Sequence, residues 1–321
     1  MTLPTNDQIS TLFRNANSIL IAAHIRPDGD AVGSLLGLGN ALIQAKKKVL
    51  MVLSDGVPSN FHYLHRAGLV KKSVPEGMNF DLKISLDTSD LERSGGVFNN
   101  QEITLNIDHH VTNTMYGRFN YNDPDSVATC AILAEKLEDW GLEIDKETAS
   151  LLLTGLITDT IGFRTSNMSS KAMRLAASLM DKGANLPEIY QKALIDKTFE
   201  QIVYWGSALH RLNKENEIVW TTLLIEDRKE AGYNGNDDAD LNSILSSIKE
   251  VLVSVLFVVQ PGGSVKVSWR AKSGIDISSL AQSLGGGGHP AAAGVEMKGT
   301  LDEVQKIVIE KTHKLLDELD K

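Results

Sequence analysis

Up to about residue 187, short apolar blocks alternate with longer segments of helical spacing. The blocks are "SILIAA" at 18–23, "KVLMVLS" at 48–54, "DLKISL" at 81–86 and "EITLNI" at 102–107; the helix-spaced segments cover 31–45, 127–140, 146–158 and 170–182. Strands and helices in alternation predict a parallel α/β sheet. A polar, largely helical stretch over 187–213 reads as a connector. Beyond it the pattern is richer in strands: "EIVWTTLLI", "EVLVSVLFVV" and "SVKVSWRA", a helix near 277–284, a strand at 292–297 and a closing helix from Leu301. This predicts a smaller α+β domain. The expected boundaries are 1–187 for the first domain, 188–214 for a helical linker and 215–321 for the second.

The 321 residues suffice for two domains that each bury a core. A net charge of −9 argues against wrapping long nucleic acid, which needs many cations to neutralise phosphates. A short anionic substrate held by a few local cations or metal ions is compatible with it. The single cysteine, Cys130, excludes an internal disulfide framework or a thiolate zinc site. "MTLPTNDQISTLFRNAN" has no apolar signal core, and "VLVSVLFVV" is too short to span a bilayer, so a cytoplasmic protein is expected.

The ends of the apolar blocks carry the chemistry. "SILIAAH" ends in His24 and runs into "IRPDGD", with Asp28 and Asp30. Taken alone, "PDGD" is a strand-to-helix turn with Asp30 as a cap. "DLKISLD" ends in Asp87, and "EITLNIDHH" ends in Asp108, His109 and His110. Ligands of parallel sheets gather outside the carboxyl ends of the strands. Asp159 closes the apolar helix "LLLTGLITD", where a carboxylate opposes the helix dipole unless a cation is near. Imidazoles with several carboxylates and no thiolate suit Mn²⁺, Fe²⁺, Mg²⁺ or Co²⁺. So many ligands suit two ions better than one, as in phosphoryl displacement.

"HIRPDGDAVGS", "SLDTSD", "NIDHHVTN" and "TGLITDTIGFRTSN" resemble, in order, the four motifs of the DHH phosphoesterase superfamily. "VSWRAKSGIDISSLA" followed by "GGGGHPAAAG" resembles its DHHA1 substrate-binding domain. The resemblance covers nearly the whole chain and points to the nanoRNase and pAp-phosphatase branch. It implies an N-terminal parallel-sheet DHH domain and a smaller α+β DHHA1 domain. It also implies two divalent ions, Mn²⁺ first with Mg²⁺ or Co²⁺ as alternatives. His24, Asp28 and Asp87 would hold one ion; Asp30, Asp87, His109 and Asp159 the other. A water shared by the ions would be the nucleophile, His110 would face the substrate, and Asp108 would orient a histidine. Arg270, Gly286, Gly287, Gly288 and His289 would hold the substrate's terminal phosphate or first nucleotide.

The implied activity is hydrolysis of short oligoribonucleotides or dinucleotides to 5′-mononucleotides, with removal of the 3′-phosphate of pAp beside it. Cyclic-dinucleotide hydrolysis, inorganic pyrophosphatase activity and a silent nucleotide sensor are the competing readings. Implied partners are short RNA or nucleotides, with neither long duplex nucleic acid nor a membrane, and a homodimer is allowed. Asn113 and Arg164, within the third and fourth motifs, lie beside the site and could touch phosphate; Arg26 sits inside the first loop, where solvent exposure and substrate contact are equally open, and His62, His65, His210 and His313 stand outside any motif.

Overall fold

A computed structural model describes residues 3–319 except 99, 100, 236, 237 and 273, and of His289 the backbone without the side chain. The chain divides into two compact units, Met1–Asp196 and Lys197–Lys321, and the division falls inside the stretch read as a connector.

The first unit opens with helix α1 (Asn6–Asn15), capped by Thr5, and strand β1 (Ser18–Ala22). Helix α2 (Gly29–Gln44) and strands β2 (Lys48–Val52), β3 (Leu82–Leu86), β4 (Leu105–Asp108) and β5 (Phe119–Asn122) follow. Helices α3 (Thr129–Lys136), α4 (Lys146–Asp159), α5 (Ser170–Asp181) and α6 (Leu186–Tyr190) complete the unit, with a π turn at Gln191–Ile195. All five strands are parallel, in the order β2-β1-β3-β4-β5. Alternate residues of β1 serve two cores: Ile19 and Ile21 face the one that takes in α2 and α4, and Leu20 and Ala22 the one with Phe98 and Ile103. A sheet covered on both faces is why its strands read as continuous apolar blocks.

The expected parallel sheet is therefore present, with additions. The block pattern marks no strand at Phe119–Asn122. There "FNYN" is too short to show alternation, and it is ordered by pairing with β4, where Asp108 lies opposite Asn122.

The second unit begins with α7 (Phe199–Leu209), whose Tyr204, Trp205 and Ala208 pack against Val219 and Leu223. That half of the connector thus belongs to a core. Strands β6 (Asn213–Glu215) and β7 (Ile218–Leu223), helices α8 (Ile225–Ala231) and α9 (Leu241–Leu245), and strands β8 (Val253–Val259) and β9 (Ser264–Ala271) come next. Then follow α10 (Ser278–Ser283), β10 (Gly287–His289), β11 (Ala292–Lys298) and α11 (Leu301–Leu319). The sheet is mixed, ordered β10-β11-β9-β8-β7-β6, with only β7 and β8 running parallel. No helix among the described residues is long and apolar enough to cross a membrane.

Candidate active site

In the strand order β2-β1-β3-β4-β5, the chain leaves β1 toward β2 and leaves β3 toward β4 in the opposite direction, so the crevice beyond β1 and β3 is the switch point where such folds bind ligands. His24 lies two residues past the end of β1, Asp87 immediately past β3, and Asp108, His109 and His110 end β4 or follow it. Asp87 is almost fully buried and has φ +51°, a left-handed conformation that costs a non-glycine residue energy.

Asp28, not Asp30, caps α2. Its Oδ1 accepts from the amides of Asp30 and Ala31 at 3.1 and 3.0 Å. The cap leaves Asp30 in the first turn, where its carboxylate accepts from the amides of Thr129 and Cys130, at the start of α3, at 2.7 and 2.9 Å. Asp159 reaches the same place because α4 packs closely on α2. A Cβ on Gly155 would stand 2.2 Å from Cys130 Sγ and 2.9 Å from Asp30 Oδ1, so glycine is required there.

The six residues assigned to metal form a chain of contacts. Nε2 of His24 lies 3.7 Å from Asp28 Oδ1 and 3.4 Å from Asp87 Oδ2. Nε2 of His109 lies 3.9 Å from Asp30 Oδ2, 3.6 Å from Asp87 Oδ1 and 3.6 Å from Asp159 Oδ2. Asp87 thus presents one oxygen to each group. Ligand atoms of His24, Asp28 and Asp87, and of Asp30, His109 and Asp159, lie within 4.8 Å of one another, as do those of Asp87, His109 and His110. Most of these separations are too long for hydrogen bonds, and they suit atoms sharing an ion about 2.1 Å from each.

The electrostatics also suit cations. Burial, with the charges of Asp87 and Asp159 nearby, pushes Asp30 well above the usual carboxylate range. Burial raises Asp159 to about 7 against the pull of His109. Burial opposes the charged form of His24, yet its contacts with Asp28 and Asp87 prevail and raise it to about 10. For His109 the charges of Asp87, Asp30 and Asp159 likewise overcome burial and raise it to about 9. Carboxylates pushed up by burial and by neighbouring carboxylates, Asp30 and Asp159, beside imidazoles pushed up by the carboxylates around them, are what divalent ions relieve. Cys130 is no competitor: burial pushes its thiol up, and Sγ lies 3.6 Å from the Asp30 carbonyl oxygen.

Asp108 is fully buried, and its Oδ1 lies 2.7 Å from Nδ1 of His110 and accepts from the His109 amide at 2.9 Å. Two contacts had no signal in the motifs: the Thr129 hydroxyl donates to Asp87 Oδ1 at 3.1 Å, and the α3 amides hold Asp30. Only the fold brings α3 to this edge. Arg26 and Arg164 are exposed; the Arg26 amide donates to Asp55 at 2.5 Å, and Arg164 Nε to the Ile161 carbonyl at 3.0 Å. His62 has a local partner, the Val57 carbonyl at 2.9 Å, and His313 on α11 lies 3.5 Å from Glu215 of β6.

The remaining assigned residues lie in the second unit. Arg270 on β9 and His289 on β10 both pair with Ala292 of β11, so they occupy one row of the sheet with one small residue between them. Arg270 is half-buried, and its Nη1 donates to the Trp269 carbonyl at 3.1 Å. The side chain of His289 lies outside the described residues. Gly287 and Gly288 belong to β10, and a Cβ on Gly286 would meet the Gly294 carbonyl at 2.2 Å. The glycine run is thus packed backbone against β11, which gives Gly286 a structural reason of its own.

A model of the DHH family, N-terminal domain, matches residues 18–156, and a model of the DHHA1 domain matches residues 218–318. The bifunctional oligoribonuclease and PAP phosphatase NrnA of Thermus thermophilus is 32% identical over 297 residues, 91% of this chain and 88% of that protein. The protein of the same name from Bacillus subtilis is 24% identical over 298 residues, 91% of this chain and 93% of its own length. The crystal structure of an exopolyphosphatase-related protein from Bacteroides fragilis shares the fold, with a TM-score of 0.88 at 24% identity over 98% of this chain and 95% of that one.

Proposed function

The chain belongs to the DHH family and is a metal-dependent phosphoesterase, and from this premise we propose that it hydrolyses short oligoribonucleotides to 5′-mononucleotides and pAp to AMP and phosphate. The observation that carries the reading is Asp87, which turns one carboxylate oxygen to His24 and the other to His109. The named activities of the Thermus and Bacillus relatives support the choice of substrate.

Both reactions break the same kind of bond. In pApA and in pAp, it joins phosphorus to the ribose 3′-oxygen of a nucleotide that carries a 5′-phosphate. Water adds its oxygen to phosphorus, and the departing 3′-oxygen takes up a proton. One site can therefore serve both substrates.

His24, Asp28 and Asp87 would hold one divalent ion, and Asp30, Asp87, His109 and Asp159 the other, with Mn²⁺ proposed for both. Ions bound there supply the charge that makes water a nucleophile near neutral pH and neutralises the reacting phosphate. Asp108 fixes the ring of His110 through Nδ1, so that Nε2 can donate to a phosphate oxygen or to the departing 3′-oxygen. Thr129 holds the Asp87 carboxylate in place. Arg270, His289 and Gly286–Gly288 would receive the end of the substrate that bears the terminal phosphate, by a charge-assisted contact from the guanidinium. The protein is proposed to act in the cytoplasm on short RNA.

Mn²⁺-loaded protein incubated with pApA, pGpG, short RNA, pAp and cyclic di-AMP tests the reading. AMP from pApA and pAp is expected. Faster turnover of cyclic di-AMP than of pApA would favour the cyclic-dinucleotide reading, and no turnover of any substrate would leave a sensor.

A further inference from the structure

The loop after the paired histidines carries Asn113, whose side chain turns into the protein. Its Nδ2 donates to Asp108 Oδ2 at 2.5 Å, to Asn106 Oδ1 at 2.9 Å and to the Thr88 carbonyl at 3.2 Å. Its Oδ1 accepts from the Met115 amide at 2.7 Å and so shapes the turn. We propose that Asn113 is a positioning residue for His110, acting through the Asp108 carboxylate.

A carboxylate held at one oxygen can still rotate; held at both, it cannot. Oδ1 of Asp108 meets Nδ1 of His110 and the His109 amide, and Oδ2 meets Asn113. The carboxamide supplies the second point, and the plane of the His110 ring follows. Asn113 is itself anchored to both strand ends that deliver ligands. Asn106 Nδ2 donates to the Tyr116 hydroxyl at 3.0 Å, and that hydroxyl reaches the Thr88 carbonyl at 3.0 Å and Ser85 Oγ at 2.7 Å. Thr88 directly follows Asp87, whose φ is +51°. The cluster thus ties the end of β4, with His110, to the end of β3, with Asp87. Small misplacements of a group that must meet a reacting oxygen are costly in rate.

The inference rests on the proposed role of His110, so His110→Ala is measured alongside. Asn113→Asp keeps an oxygen for the Met115 amide, removes the donor that serves Asp108, Asn106 and Thr88, and sets a second carboxylate beside Asp108; Asn113→Ala removes donor and acceptor without adding charge. For each, kcat with pApA should fall about 10- to 100-fold, the usual cost of losing such a supporting partner. KM and Mn²⁺ affinity, read by electron paramagnetic resonance, should stay unchanged, because no ligand is altered. In long-range ¹H–¹⁵N spectra of the metal-free protein, the hydrogen-bonded Nδ1 signal of His110 should be lost in Asn113→Asp. Wild-type kcat in Asn113→Asp would overturn the proposal. So would a parallel fall of kcat and Mn²⁺ affinity, or unfolding of the uncharged Asn113→Ala, since either makes the residue structural. If His110→Ala kept full activity, the proposed role of His110 would fail instead.

Discussion

Nε2 of His109 lies 3.6 Å from Oδ1 of Asp87, across the ends of two neighbouring strands, while the other oxygen of Asp87 faces His24. Removing this carboxylate should therefore disturb both ligand groups. Asp87→Ala should lower turnover of pApA by several orders of magnitude, in line with the loss of several kcal/mol of transition-state stabilisation. Activity above about a tenth of wild type would show that Asp87 does not bridge two ions.

The raised values of His24, about 10, and His109, about 9, mean that both rings hold protons at pH 8 in the metal-free protein. An ion can use only the neutral rings, so Mn²⁺ binding at pH 8 should release at least two protons, one from each ring, with any that Asp30 holds adding to them. Calorimetric titration in buffers of different ionisation enthalpy counts them, and release of none would contradict the assigned ligands. The same pairs stabilise the metal-free fold fully below the unfolded value of 6.5, and this contribution is lost as pH rises through about 9 to 10. The melting temperature of metal-free protein should fall over that window, and less so in His24→Ala.

The residues proposed as ligands stand out in the sequence because each ends an apolar block or helix or lies in the turn that follows one, a place where charge is conspicuous. What the motifs did not reveal depends on contacts made only in three dimensions. Whether Asp28 or Asp30 caps α2 turns on which carboxylate the α3 amides claim, and α3 begins 99 residues after Asp30. Asn113 read from its motif as a residue that could touch phosphate, because its partners, Asn106, Asp108 and Thr88, come from two strand ends that only the fold brings together. The pattern marks no strand at 287–289, because "GGH" has no side-chain alternation to read; its order comes from pairing with β11.

Length preference follows from charge. With a net charge of −9, distal phosphates gain little and meet repulsion. The ratio kcat/KM should be higher for a dinucleotide than for a 24-mer of matching sequence, and equal values would count against a short-substrate enzyme.

Arg270 is proposed to hold the terminal phosphate, a charge-assisted contact worth about 1.5–3 kcal/mol. Arg270→Ala should then reduce kcat/KM for pApA roughly 10- to 150-fold. Hydrolysis of bis-(p-nitrophenyl) phosphate, which has no terminal phosphate, should barely change, whereas His109→Ala should depress both substrates. An equal loss on both substrates in Arg270→Ala would place the arginine in support of the fold.

Two ions acting together at one site bridged by Asp87 are proposed to carry the reaction, and one titration tests that most directly. Metal-free protein is titrated with Mn²⁺, and bound ions per chain and the initial rate on pApA are measured on the same samples. The rate should stay near zero until a second ion begins to bind, reach its plateau at two per chain, and vanish on chelation. A plateau at one bound ion, or turnover that survives chelation, would contradict the account.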